Sequence, residues 1–372
     1  MCRSYRCRLL GILGFLSLAF SEATACDLSK DEELILFPTL GHLEEDGRTW
    51  NISIHGWIFE PESDSKKRAV ALGLLAKALQ LGNAEIQSDL FQKRVRLFLV
   101  DNERDKKISI RLGNRTYDLP GSGPDGHFEH NLRTPADSDA LLDPRRAAAA
   151  GWLSFEGPAC ERTVRRFAGR VQLVPPTGLS LISDIDDTIK ISEVRDRTAL
   201  VANTFLREYR AVTGMSELYA RWQDAGVRFH YVSASPWQLF PALADFLEKS
   251  GFPAGSHNLR PVRVKDETVL DLFKPPQDYK IQTIRALFER FPGRRFILVG
   301  DSGERDPEIY GEIARAFQNQ IETIYIRNVT PGEDTPGRCQ KAFHNLPSQR
   351  WQLFTDPAEI KIPNDHERGL HP

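Results

Sequence analysis

From residue 179 onward the chain alternates short apolar runs with longer amphipathic stretches, and that rhythm admits few folds. Residues 179–185, 227–232, 295–300 and 321–326 read as buried strands. Between them, Met215, Leu218, Tyr219 and Trp222 share one helical face, as do Leu239, Phe240, Leu243, Phe246 and Leu247. Two more stripes follow, Ile281, Ile284 and Phe288, then Ile309, Ile313 and Phe317. Strands alternating with helices predict a parallel sheet with helical crossovers, an α/β fold with flanking helices. Ligands of such sheets sit beyond the carboxyl ends of the strands.

The strand ends therefore carry the chemistry. The first ends in Asp184 and Asp186, whose i, i+2 spacing puts both on one face in extended backbone. Two carboxylates that close repel unless a cation or a shared proton compensates them. The second strand ends at Ser233, with Ser235 two residues on, and Lys280 opens a helix. The next strand runs into Gly300-Asp301, and Asp306 follows after Ser302-Gly303-Glu304-Arg305. Each residue alone has an ordinary structural reading: Ser233 as a helix cap, Lys280 as a solvated lysine, Asp306 as an N-cap. Together, in strand order, they fit phosphoryl transfer. Asp184 is the nucleophile and Asp186 the proton donor and acceptor. Ser233 and Lys280 steady the transferring oxygens. A magnesium ion is expected on Asp184, Asp186, Asp301 and Asp306. Thr188, Ser235 and Arg260 are expected on the substrate, with Arg263 and Lys265 as further basic candidates.

The order D-x-D-x-T, strand-end Ser, Lys, then G-D-x-x-x-x-D resembles the haloacid dehalogenase superfamily of phosphatases. Residues 182–190 (ISDIDDTIK), 230–239 (HYVSASPWQL), 299–308 (VGDSGERDPE) and 324–330 (IYIRNVT) are similar to the signatures of the actin-patch type phosphatidate phosphatases. That resemblance covers about residues 170–330. It implies a HAD-like Rossmannoid sheet and magnesium-dependent conversion of phosphatidate to diacylglycerol, with an aspartyl-phosphate intermediate. A secreted phosphomonoesterase of broader specificity, or a non-enzymatic lipid-phosphate-binding protein, are the alternatives. Residues 190–213 are too few for a large cap domain, and the open site this implies suits a bulky or membrane-bound ester. Trp237, Leu239 and Phe240 suit an acyl entrance and a core helix alike.

Residues 26–178 read as a smaller β-rich domain. Residues 50–59, 94–99, 108–112 and 167–174 are strand candidates, Gly113-Asn114 is a hairpin turn, and 67–81 is a helix. His42, His55, His127 and His130 look scattered and structural. Residues 137–151 read as a loose excursion, and Pro175-Pro176 marks the boundary. Residues 334–372 form a tail docked through Trp351 and Phe354. A net charge of −2 gives no reason to expect nucleic acid.

The first 25 residues predict export. Arg3, Arg6 and Arg8 precede an apolar stretch over 9–20, and Ala23-Thr24-Ala25 reads as a cleavage site, so a secretory signal peptide is expected. The mature chain then begins at Cys26, a position open to lipid attachment and so to peripheral membrane contact. Three cysteines remain, Cys26, Cys160 and Cys339. A Cys160–Cys339 bridge with a modified Cys26 balances the count, and so does Cys26–Cys160 with Cys339 free.

Overall fold

The computed structural model describes residues 26–61, 65–135, 151–158, 165–262, 277–330 and 332–360. The expected leader, nearly all of the 137–151 excursion, Cys160, Arg263 and Lys265 lie outside the described residues.

The N-terminal half is built on one mixed sheet of nine strands. Its elements in chain order are β1 (Glu33–Leu36), β2 (Thr39–Leu43), β3 (Thr49–Pro61), α1 (Ser65–Leu79), α2 (Asn83–Ile86) and α3 (Asp89–Val95). Then come β4 (Val100–Asn102), β5 (Ser109–Leu112), β6 (Arg115–Asp118), β7 (His127–Pro135), β8 (Trp152–Glu156) and β9 (Ala168–Val174). The expected strand over 94–99 is instead the end of α3 and a 3-10 turn, Arg96–Phe98. Ser88 Oγ accepts from Phe91 N at 3.3 Å and starts the helix. Phe91, Arg94 and Val95 then share its buried face. The apparent alternation straddled a helix end.

The C-terminal half contains β10 (Gly178–Ser183), α4 (Arg197–Val201), α5 (Met215–Asp224), β11 (Arg228–Pro236), α6 (Phe240–Lys249) and β12 (Ser256–Arg260). It continues with α7 (Gln277–Arg290), β13 (Arg294–Asp301), α8 (Asp306–Ala316), β14 (Ile321–Arg327), α9 (Thr335–Ala342) and β15 (Trp351–Phe354). Six parallel strands lie in the order β12-β11-β10-β13-β14-β15. Trp351 and Phe354, expected to dock the tail, do so as the edge strand β15.

Both faces of this sheet are covered, which explains the near-continuous apolar runs. Ile297 and Val299 of β13 face one core with Met215, Leu218 and Trp222 of α5. Phe296 and Leu298 face another with Ile284 and Phe288 of α7 and Ile309 and Ile313 of α8. The first core also takes in Phe37, Trp57, Phe59, Phe91 and Phe98, so it runs through both halves of the chain. The Phe37 and Trp237 rings lie tilted with centroids 4.2 Å apart, and His257 N donates to Pro38 O at 3.1 Å.

Strand order in such a sheet dictates where a crevice opens. Successive strands step outward from β10 to β11 and β12, then the chain returns to place β13 on β10's other side. The direction reverses between β10 and β13, and a crevice opens beyond their carboxyl ends. Asp184 follows the last residue of β10, and Asp301 is the last of β13.

Cys26 is disulfide-bonded, while Cys339 is free and buried. A Cys160–Cys339 bridge is therefore not formed. The Cys26 sulfur, spent in a disulfide, is not available for a lipid thioether.

Candidate active site

The crevice gathers four carboxylates around one ammonium. Lys280, in the first turn of α7, is 3% exposed. Its Nζ donates to Glu304 Oε2 at 2.9 Å and to Asp306 Oδ1 at 2.8 Å. It also lies 2.8 Å from Asp184 Oδ1, as an ion pair off the hydrogen-bond axis. Asp184 Oδ2 accepts from Thr188 Oγ at 3.1 Å, and Asp184 N donates to Val299 O, which ties β10's end to β13. Asp301 Oδ1 accepts from Gly303 N at 2.6 Å and Glu304 N at 3.1 Å.

Asp306 begins α8 without capping it. Its side chain turns back instead, so that Oδ2 accepts from Asp301 N at 3.3 Å. Gly300 makes room for this: a Cβ there would lie 2.3 Å from Asp306 Oδ2.

Asp184, Asp301 and Glu304 each offer a carboxylate oxygen, and these lie within 4.8 Å of one another. Asp301 Oδ2 is buried with no hydrogen-bond partner among the described residues. A buried, orphaned carboxylate oxygen within such a group fits a divalent cation that prefers hard oxygen ligands. Burial pushes the Asp184 and Asp301 carboxyls well above the usual range, and the neighbouring carboxylates add to the rise, with Lys280 opposing it. Glu304 is raised for the same first reason. The metal-binding set expected from sequence was Asp184, Asp186, Asp301 and Asp306. The structure brings Asp184 and Asp301 together with Glu304, while Asp306 stands behind them on Lys280.

Asp186 has a separate neighbourhood. Its Oδ1 meets Lys190 Nζ and Ser192 Oγ, each at 2.7 Å. Its Oδ2 accepts from Ser235 Oγ at 2.9 Å and Ser233 Oγ at 3.3 Å. Burial alone would raise its pKa, but the Lys190 charge and these hydrogen bonds outweigh it and hold the carboxyl at about 2. Two acids two residues apart are thus driven in opposite directions.

The loop beyond Asp186 is organised by Asp187, which has a left-handed φ of 53°. Its carboxylate accepts from Ser192 N, Glu193 N and Val194 N at 2.7–2.8 Å. Lys190 and Arg94 both sit over the Tyr209 ring, at 4.8 and 3.8 Å from its centroid. Arg94 comes from α3 and donates to Thr204 O and Arg207 O at 2.7 and 2.6 Å. The N-terminal half thereby braces the segment that holds Asp186's partner. Glu304, Asp187, Lys190 and Ser192 were given no role from sequence, although all four lie inside or beside the acidic motifs.

Asp186 and Glu304 line a cavity of about 60 Å³ with Val194, Leu200, Phe205, Ser235, Pro236 and Leu239. Trp237 and Phe240 belong instead to the core against Phe37. Arg260 ends β12, buried and in register with Pro236. The histidines of the N-terminal half are not all scattered. His55 Nε2 and His127 Nδ1 are 3.0 Å apart in a cleft of about 1000 Å³ that His130 and Arg290 also line. Burial holds their pKa values down, to about 3 and about 4.

Fold and site together define a parallel α/β domain with a carboxylate centre at its topological switch point. Residues 179–328 match the family described as "Phosphatidate phosphatase APP1, catalytic domain". Phosphatidate phosphatase APP1 of Saccharomyces cerevisiae is 40% identical over 191 residues, 50% of this chain. A protein of Schizosaccharomyces pombe described as uncharacterized is 29% identical over 172 residues, 45% of this chain. The chain spans only 30% and 28% of the lengths of these two relatives. Over residues 179–328 the chain is thus similar to the catalytic domain of the APP1 phosphatidate phosphatases.

Proposed function

We propose that the protein is a magnesium-dependent phosphatidate phosphatase of the HAD type, a phosphoric monoester hydrolase that releases diacylglycerol and phosphate. The observation that carries this reading is the split between Asp184 and Asp186. One carboxylate is set on the metal-fitting cluster, the other on Lys190 and three hydroxyls. Roles divide where environments push two titratable groups apart.

Asp184, Asp301 and Glu304 would hold the magnesium ion, which supplies positive charge against the phosphate and the attacking carboxylate when bound. Lys280 pairs with Asp184 and Glu304 of this set, and with Asp306 behind them. An Asp184 oxygen attacks phosphorus, and the bond from phosphorus to the glycerol oxygen breaks with its electron pair on that oxygen. Asp186 donates the proton that the leaving oxygen needs. It rests ionised; the phosphate monoester, entering as its monoanion, brings the proton. The added like charge raises the proton affinity of Asp186, so that it takes this proton up before passing it on. Diacylglycerol departs, leaving phosphate on Asp184. Asp186 then takes a proton from the water that attacks this phosphorus, and Asp184 is regenerated. Ser233 and Ser235 keep Asp186 oriented through both steps, and Thr188 holds Asp184. The apolar walls of the small cavity, Val194, Leu200, Phe205 and Leu239, suit the glycerol–acyl end of a lipid ester.

Export and peripheral contact with a membrane complete the reading. The disulfide at Cys26 supports an oxidising compartment. No helix among the described residues is long and apolar enough to cross a bilayer.

The test is phosphate release from phosphatidate in mixed micelles, beside a soluble aryl phosphate, with magnesium or with EDTA. Magnesium-dependent turnover that favours the lipid is expected. Equal turnover of both esters would discard the lipid assignment, and full activity in EDTA would discard the metal.

A further inference from the structure

Helix α1 presents to solvent a face that a soluble helix would normally cover. Val70 and Leu74, one turn apart, are 64% and 51% exposed, and they are the exposed large hydrophobic residues among those described. Ala69 and Gly73 are exposed between them, and Lys66 and Lys77 are exposed at the two ends. The opposite face is anchored: Leu75, Ala76 and Leu79 are buried, and Ala71, Leu72 and Ala78 pack on the core shared by both halves.

The sequence of α1 contains Lys66, Lys67, Arg68 and Lys77 and no acidic residue. An apolar stripe bracketed by lysines, on a helix with cations only, is complementary to an anionic lipid surface. The methyls enter the interface and the ammonium groups remain among the headgroups.

The helix is also joined to the site. Ala78 O accepts from Arg197 Nη2 at 3.1 Å, and Arg197 opens α4, whose Leu200 lines the cavity beside Asp186 and Glu304. Helix α1 is thus tied by a hydrogen bond to the element that lines this cavity.

We propose that α1 is the surface by which the protein docks on anionic membranes, with Val70 and Leu74 inserted at the lipid interface. The inference rests on the lipid-phosphatase reading for its purpose, though not for its test.

Flotation of the processed chain from Cys26 on, with phosphatidylcholine vesicles alone or mixed with phosphatidylglycerol, reads the contact with no substrate present. Binding to the anionic vesicles and much weaker binding to the neutral ones are expected. Val70→Asp/Leu74→Asp should weaken vesicle partitioning at least ~10-fold and lower turnover of vesicle phosphatidate to match, at an unchanged urea midpoint and unchanged turnover of soluble ester. Val70→Ser/Leu74→Ser serves the same end if the double aspartate fails to fold. Lys77→Glu should weaken binding to anionic vesicles alone. A parent chain that does not bind anionic vesicles overturns the inference, and so do double variants that bind as the parent does. Docking as expected with no hydrolysis of phosphatidate would instead overturn the substrate reading and leave the docking surface standing.

Discussion

Asp184→Asn is expected to lower phosphate release by on the order of 10⁴-fold or more, with the fold at least as stable in the absence of metal. The amide keeps the shape of the carboxyl but gives up its nucleophilic oxygen. It also withdraws one charge from a crowded group in which Asp184, Glu304 and Asp306 share the ammonium of Lys280, with Asp301 beside them. The same crowding has a pH signature. Burial raises the Asp184 pKa above its ordinary value of 3.8, so between those two values the folded state holds a proton that the unfolded state has lost. The contribution of Asp184 to the stability of the metal-free protein is therefore full below that ordinary value and is lost as pH rises from it through the folded one. In EDTA, urea unfolding should show the parent less stable at about pH 8 than at about pH 5, with a shallower slope in Asp184→Asn. Retained activity in the variant would remove Asp184 from the nucleophile's place.

Lys280→Met is expected to have the largest effect on stability. The methionine fills most of the same volume, but three buried carboxylates lose the ammonium they share. Removing one partner of a buried ion pair costs about 3–5 kcal/mol, because the charge left behind is neither solvated nor paired. Lys280 holds three such partners, and their charges, working against burial, hold its pKa well above the ordinary value. Urea unfolding in EDTA near neutral pH should show a loss of that size, and magnesium should restore part of it by replacing the missing positive charge. A loss below about 1 kcal/mol, the range of an exposed pair, would mean that water already screens the cluster.

The parallel half of the fold was legible because its strands are buried on both faces and so stand out as apolar runs. Residues 295–300 and 321–326 extend in the structure to Arg294–Asp301 and Ile321–Arg327. The four-residue β15 was not legible as a strand, since a short edge strand carries too little pattern to separate from a docked tail. In the N-terminal half, Phe91, Arg94 and Val95 carry helical spacing, which the alternation over 94–99 masked. The site residues Asp184, Asp186, Ser233, Lys280, Asp301 and Asp306 could be picked out because each lies near the carboxyl end of a strand or in the first turn of a helix, although the strand expected to end at Ser233 runs on to Pro236. Glu304 sits in the loop between Asp301 and Asp306, where sequence gives no direction to a side chain; only the fold aims it at Lys280. The meeting of His55 with His127 depends on the β3–β7 register, which pairs Trp57 with His127, and no local pattern encodes that register.

The core that Phe37, Trp57, Phe91 and Phe98 share with Phe205, Trp237 and Phe240 bears on how such a gene can be rearranged. Residues 179–328 carry the family likeness, yet excised alone they would leave those aromatic partners bare, and Tyr209 without the guanidinium of Arg94. A recombination that moved only this stretch would deliver a sticky, poorly braced product. The unit that must travel together is thus longer than the stretch by which it is recognised.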